Sequence, residues 1–226
     1  MSSISYAWDF SVVWQYRDAF LNGLILTLKL ALMTILLGSA LGIVFALLRG
    51  SGVRWLMIPV TGIIELVRAV PPLVLLVWAY YCVPILTGLT FSGFFTAVLA
   101  LALYSSAFYA EIFRAGIQSI EKGYIEAAYS VGMTRPQIFR RITAPLAFQK
   151  IFPPLVSQCV LVVKNTSLVG YVAVADVLYI GQQVSVQSFR PIEVLTAVAI
   201  MFLIVIVPLT VLAGMLESKY RRKYYG

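Results

Sequence analysis

Histidine is absent from this 226-residue chain, cysteine occurs twice, and charged side chains fill only 12% of its positions. Each scarcity excludes something. Without histidine, no zinc or haem site with imidazole ligands can be drawn. Cys82 and Cys159 stand alone inside apolar stretches, where a thiol acts as a small hydrophobe, and they say nothing about redox compartment. The phosphate-cradling pattern G-x-x-x-x-G-K-[ST] is missing, and neither a nucleophile elbow nor an acid–base constellation is present. The first twenty residues place Asp9, Arg17 and Asp18 among scattered aromatics. They lack the basic start, apolar run and small-residue cleavage site of a signal peptide, so this segment is expected to be retained.

The shortage of charge is the most informative of these features. Soluble domains carry roughly a quarter charged residues, whereas this chain is 61% hydrophobic, a composition suited to lipid as solvent. A net charge of +8 would point to nucleic acid only on the basic face of a soluble domain. Here the basic residues lie between and beside apolar runs, so nucleic acid is not an expected partner and the lipid bilayer is.

A helix needs roughly 20 apolar residues to cross the hydrocarbon core. On that measure the pattern predicts an all-α membrane protein with five transmembrane helices, at 21–48, 55–83, 90–116, 146–166 and 191–216. Residues 69–110 contain no charge, too long a run for one crossing, and they divide where Thr and Gly collect at 84–93. The fourth apolar run continues as a less regular segment to about residue 180. Orientation follows from lysine and arginine, which concentrate on the cytoplasmic side. With the N-terminus outside, the cytoplasm holds Arg49, Arg54, Arg114, Lys122, Arg135, Arg140, Arg141, Lys150, Lys219, Arg221, Arg222 and Lys223, twelve of the seventeen basic residues. The reading is N-out, C-in. Residues 1–20 form a periplasmic segment in which Phe10, Val13 and Trp14 suit a short helix lying in the interface. Residues 217–226 form a basic cytoplasmic tail.

The long polar interruption between the third and fourth spans has sharply defined ends. Residues 124–131 are a helical run in which Ile125, Ala128 and Tyr129 share a face. Gly132 stands where a helix ends, because glycine accepts the left-handed conformation cheaply. Thr134 and Gln137 form a T-x-x-Q capping box that restarts a helix, with Pro136 in its first turn. Ile138, Phe139 and Ile142 lie on one side of that second helix, and Pro145 is expected to close it.

Glu126-Ala127-Ala128, Gly132, Ile142 and Pro145, at these spacings, resemble the "EAA" loop of ATP-binding-cassette (ABC) importer permeases, with Ala144 where Leu is usual. Residues 65–73 (ELVRAVPPL), 110–117 (AEIFRAGI) and 164–168 (KNTSL) are similar to its polar amino-acid uptake branch, which serves substrates such as histidine, glutamate, glutamine, arginine and opines. Val67 and Ala69-Val70 depart from the usual form of the first stretch. The resemblance implies the type I ABC importer permease fold and a transport subunit rather than an enzyme, in the bacterial inner membrane. It implies a coupling helix, formed by Tyr124, Ile125, Glu126, Ala127, Ala128, Tyr129 and the corner Gly132, that docks on a cytoplasmic ATPase homodimer. It further implies a second permease subunit, either the same chain or a paralogue, and a periplasmic amino-acid-binding protein. ATP and magnesium would sit on the ATPase, leaving this chain without a cofactor and without a metal. A gradient-driven secondary carrier or channel is the alternative function.

Charge inside the membrane marks the candidate substrate path. Arg68 lies well into the 55–83 span, where an arginine costs about 2.5–3.5 kcal/mol on insertion scales and needs a partner. Glu65 stands three residues earlier, and Pro72 frees backbone carbonyls beyond it. Arg68 has three readings: an ion pair with Glu65, a contact with a substrate carboxylate, or a gating switch between the two. Lys164, Asn165, Thr166 and Ser167 end the fourth apolar run in a burst of polarity. They are read either as substrate contacts or as the caps of a helix break, with Asp176 as a candidate partner for Lys164. Glu111 and Arg114 are expected to form a local ion pair. Lys29 can snorkel to the interface and is assigned no role.

Overall fold

The computed structural model describes residues 6–225, with side chains to Met215. The described chain is helical throughout its regular structure. A short helix, α1 (Ser11–Gln15), leads into α2 (Arg17–Gly50), α3 (Arg54–Ala69), α4 (Pro72–Thr87) and α5 (Gly93–Gln118). After these come α6 (Lys122–Ser130), α7 (Arg135–Ile138), α8 (Ala144–Asn165), α9 (Val177–Ser188) and α10 (Pro191–Tyr225). Among the described residues four helical runs are long and apolar enough to cross a membrane, and the bent pair α3–α4 makes five. The chain is a multi-pass membrane protein of the expected fold class.

The centre is α5, which packs against α2, α3, α4 and α8. Its contact with α2 follows from residue size. The buried positions of α2 include Gly23, Thr27, Ala31, Thr34, Gly38 and Gly42, a seam of small side chains repeating every three or four residues that meets α9 at Gly23 and Thr27 and α5 at Gly38 and Gly42. Without a hydrophobic force between helices in lipid, such seams let backbones approach closely. A Cβ on Gly42 would lie 2.5 Å from Tyr109 Cβ, and one on Gly38 would lie 3.2 Å from the Ala102 carbonyl oxygen. Tyr109 is fully buried, and its hydroxyl lies 3.6 Å from Cys159 Sγ on α8.

Three expectations need correction. The span foreseen at 55–83 is two helices inclined by 106°. Val70, preceding a proline, is extended (φ −91°, ψ 133°), as the following ring demands, and Pro72 then opens α4. Arg68 therefore sits in the last turn of a short helix rather than midway along a straight crossing.

Pro145 does not close the arm of the polar loop. A π turn over Phe139–Thr143 follows α7 at once and runs directly into α8. Its wider ring accommodates a residue that has no N–H to donate, so one helical run extends from Arg135 to Val172.

The segment after residue 166 is more regular than foreseen. It forms a 3-10 helix, Thr166–Val172, ended by Ala173 in the left-handed region (φ 57°), and then α9.

At the opposite end of the bundle from the polar loop, Glu193 is fully buried in the first turn of α10. It accepts hydrogen bonds from Tyr6 Oη (2.7 Å), the Asp9 backbone N–H (3.1 Å) and Arg190 Nη1 (3.2 Å). Arg190 also donates to the Ala7 carbonyl at 2.7 Å. These contacts strap the N-terminal segment to α10, and the bond to Glu193 raises the Tyr6 phenol above its ordinary pKa. Trp14 remains 72% exposed on the outer side of α1. The N-terminal residues 1–5 and the tail side chains beyond Met215 lie outside the described structure.

Candidate functional site: a cationic cleft and a capped loop

Two regions hold most of the residues singled out by sequence. In the loop, α6 ends in a closed corner: the Met133 N–H donates to the Ala128 carbonyl (3.1 Å) and the Gly132 N–H to that of Tyr129 (3.0 Å). Gly132 has φ +79°, the conformation this corner requires of its residue and that costs glycine least. The next helix starts with the foreseen capping box, in which the Thr134 N–H donates to Gln137 Oε1 at 2.9 Å.

On α6, Tyr124, Glu126, Ala127 and Tyr129 face outward and Ile125 is half-buried. Ala128 differs: it is 3% exposed, buried against its own chain. It therefore packs the loop and leaves its neighbours as the free surface.

The second region is a cleft of about 500 Å³ where the end of α3 faces α5 and α8. Arg68, Phe108, Glu111, Gln158, Leu161 and Lys164 are among the residues lining it. Arg68 and Lys164, far apart in sequence, thus share one space. The Arg68 guanidinium lies 5.5 Å from the centre of the Phe108 ring, within cation–π range. Its Nη1 is 3.6 Å from Glu65 Oε1, so the ion pair expected from their spacing is present. Glu65 is shared, because Arg49 Nη2 lies 3.8 Å from the same oxygen. Arg49 also reaches Glu111 through Nη1 at 3.0 Å, and Glu111 is held on its other side by Arg114, the local pair foreseen. A chain of alternating charge therefore links α2, α3 and α5 beside the cleft.

Lys164 makes no ion pair among the described residues. Its expected partner, Asp176, is buried and turned elsewhere: Oδ1 caps α9 by accepting from the Tyr179 N–H at 2.9 Å, and Oδ2 is buried with no hydrogen-bond partner. The hydroxyls of Thr166 and Ser167 also turn to backbone, to the Val163 carbonyl (2.7 Å) and the Lys164 carbonyl (2.8 Å), where α8 tightens into the 3-10 helix. Thr166 is fully buried, and neither it nor Asn165 lines the cleft. Ser167 joins Lys164 at a second hollow of about 370 Å³, against Leu178, Val198 and Phe202. Pro72 opens α4 and, like Glu65, does not line the cleft.

Sequence reasoning passed over Gln158. It is 7% exposed, it lines the cleft, and its amide Nε2 is buried with no acceptor. A lone carboxamide within the apolar run 151–163 was the available signal.

The cleft can hold an anion between two cations, and the loop offers a capped, partly aromatic surface. Residues 38–222 match the family described as binding-protein-dependent transport system inner membrane component. Over 214 residues the chain is 33% identical to the probable glutamine ABC transporter permease protein GlnM of Bacillus subtilis, covering 95% of this chain and 99% of that protein. It is 30% identical over 215 residues to the glutamine transport system permease protein GlnP of Escherichia coli, covering 94% and 98%. Among solved structures, an amino acid ABC transporter with histidines superposes with a TM-score of 0.88 at 30% identity, over 95% of this chain and all (100%) of that one. An inward-facing MetNI methionine ABC transporter shares the fold, with a TM-score of 0.73 at 20% identity over 91% and 98% of the two chains.

Proposed function

Because the chain belongs to the family of binding-protein-dependent transport system inner membrane components, we propose that it is the permease of an ABC importer for a polar or charged amino acid, with the cleft on the substrate path. Membership makes it a membrane transport subunit that works with an ATPase and a substrate-binding protein. The finer assignments follow from the residues. The loop end is cytoplasmic, since it carries most of the basic side chains. Tyr124, Ile125, Glu126, Ala127 and Tyr129 dock on the ATPase homodimer, which holds ATP and magnesium. A second permease, a copy or a paralogue, completes the path across the bacterial inner membrane, and the periplasmic amino-acid-binding protein delivers substrate at the end strapped by Glu193.

One observation carries the reading: Arg68 and Lys164 line the same cleft, and Lys164 is unpaired among the described residues. A free α-carboxylate supplies the missing counter-charge, and arginine and lysine are the donors that bind carboxylate most strongly. Coupling is differential binding. ATPase closure shifts the permease between outward- and inward-facing states only as far as the docked loop distinguishes them.

The test is ATP-driven uptake of labelled amino acids by the complex in proteoliposomes. The double variant Arg68→Ala/Lys164→Ala is expected to lose uptake at least about tenfold, as removal of charged hydrogen bonds implies, while still assembling with the ATPase. Unchanged uptake would overturn the cleft as the path.

A further inference from the structure

We propose that Gln158 is a specificity-determining residue of the cleft, selecting amino acids whose side chains end in a hydrogen-bond acceptor, an amide or a carboxylate, over those with cationic side chains. The proposal rests on the reading of the cleft as the substrate path.

The charged inventory of the cleft is one-sided. Arg68 and Lys164 are donors only. The one carboxylate, Glu111, is already engaged by Arg49 and Arg114. A cationic substrate side chain would meet two like charges and no free anion, and like charges side by side in a membrane cleft repel strongly. An amino acid has a single α-carboxylate, so two cations leave donor capacity over after it binds.

Gln158 adds to that surplus. Its residue lines the cleft, 93% of it is withdrawn from solvent, and its Nε2 has no acceptor within the chain. Buried amides are otherwise almost always satisfied. Pro154, Gln158, Leu161 and Lys164 lie on successive turns of α8 and line one wall of the cleft; Nε2 itself is sealed from solvent, and turning the amide toward the cleft brings this donor to the acceptor of whatever enters. A site built to hydrogen-bond a ligand group rejects analogues lacking it, because its own polar atom is then left unpaired.

Equilibrium binding of labelled L-glutamine, L-glutamate and L-arginine to the purified permease–ATPase complex, without binding protein, tests this directly. The unaltered complex is expected to bind glutamine or glutamate about tenfold or more tightly than arginine. Gln158→Leu should erase that ratio, and the isosteric Gln158→Glu should move it toward arginine. A native preference for arginine, or an unchanged ratio in both variants, overturns the proposal. Arg68→Ala separates it from the reading beneath it. If that variant loses all three ligands while the Gln158 variants keep the native ratio, only the role of Gln158 fails. If it binds all three normally, the cleft is not the site and both fail.

Discussion

Arg49 donates from Nη1 to Glu111 Oε2 at 3.0 Å, tying the last turn of α2 to α5. The two side chains are 20% and 25% exposed. Arg49 also reaches toward Glu65 on α3, so one guanidinium bridges three helices beside the cleft.

Removing either partner breaks this tie between α2 and α5. In a double-mutant cycle with Arg49→Gln and Glu111→Gln, the coupling is expected to be about 1 kcal/mol, between the values of exposed and buried pairs. Thermal unfolding in detergent measures it. A coupling of zero would mean the pair is incidental to the packing of α2 on α5.

The seam between α2 and α5 predicts a sharp contrast between two glycines. Gly42→Ala drives a methyl to 2.5 Å from Tyr109 Cβ and should cost about 1–3 kcal/mol, the usual penalty of overpacking. Gly62→Ala on α3 meets nothing within 4 Å and should stabilise by about 0.5–1 kcal/mol through helix propensity. Unfolding midpoints of the two variants, measured side by side, check the sign of each.

Gly132 separates backbone conformation from contact. A Cβ there meets nothing within 4 Å, yet φ is +79°. Gly132→Asn, a residue that tolerates the left-handed region, should retain most coupling, whereas Gly132→Val should carry a strain of about 1–2 kcal/mol or more. The readout is amino acid imported per ATP hydrolysed, which should fall in the valine variant while membrane insertion is normal.

Adjacent alanines on α6 should behave differently. Ala128→Leu enlarges a side chain that is 3% exposed and should destabilise the permease by about 1–3 kcal/mol. Ala127→Leu lies on the outward face, so permease stability should change by less than about 0.5 kcal/mol while affinity for the ATPase falls. Unfolding and ATPase co-purification together distinguish the two.

How much could be read without coordinates depended on the range of the interaction. The capping box of Thr134 and Gln137 and the corner at Gly132 are local, fixed by residues within one turn, and both stand as expected. The Glu65–Arg68 and Glu111–Arg114 pairs are likewise spaced by one turn. Pro72 was read as freeing backbone carbonyls within one span; the break there and its 106° angle were not foreseen, because the packing of α3 and α4 is not local. Two partners of Glu193, Tyr6 and Asp9, come from the opposite end of the chain, and Arg49 meets Glu111 across two helices. No spacing rule reveals such pairs. Asp176 was misread because a carboxylate near a lysine in sequence has a nearer claim on it, the open N–H groups of a helix start.

The uninterrupted helix from Arg135 into α8 has a mechanical consequence. From residue 138 beside the loop to residue 164 in the cleft is about 39 Å of one rod, at 1.5 Å per residue. Pro153 and Pro154 lie between those ends, where two missing N–H groups weaken the rod at a single level. If the loop is the docking surface proposed above, its displacement reaches Lys164 as leverage about that level. In the proposed transport cycle, the contact with substrate and the contact with the ATPase are opposite arms of the same beam.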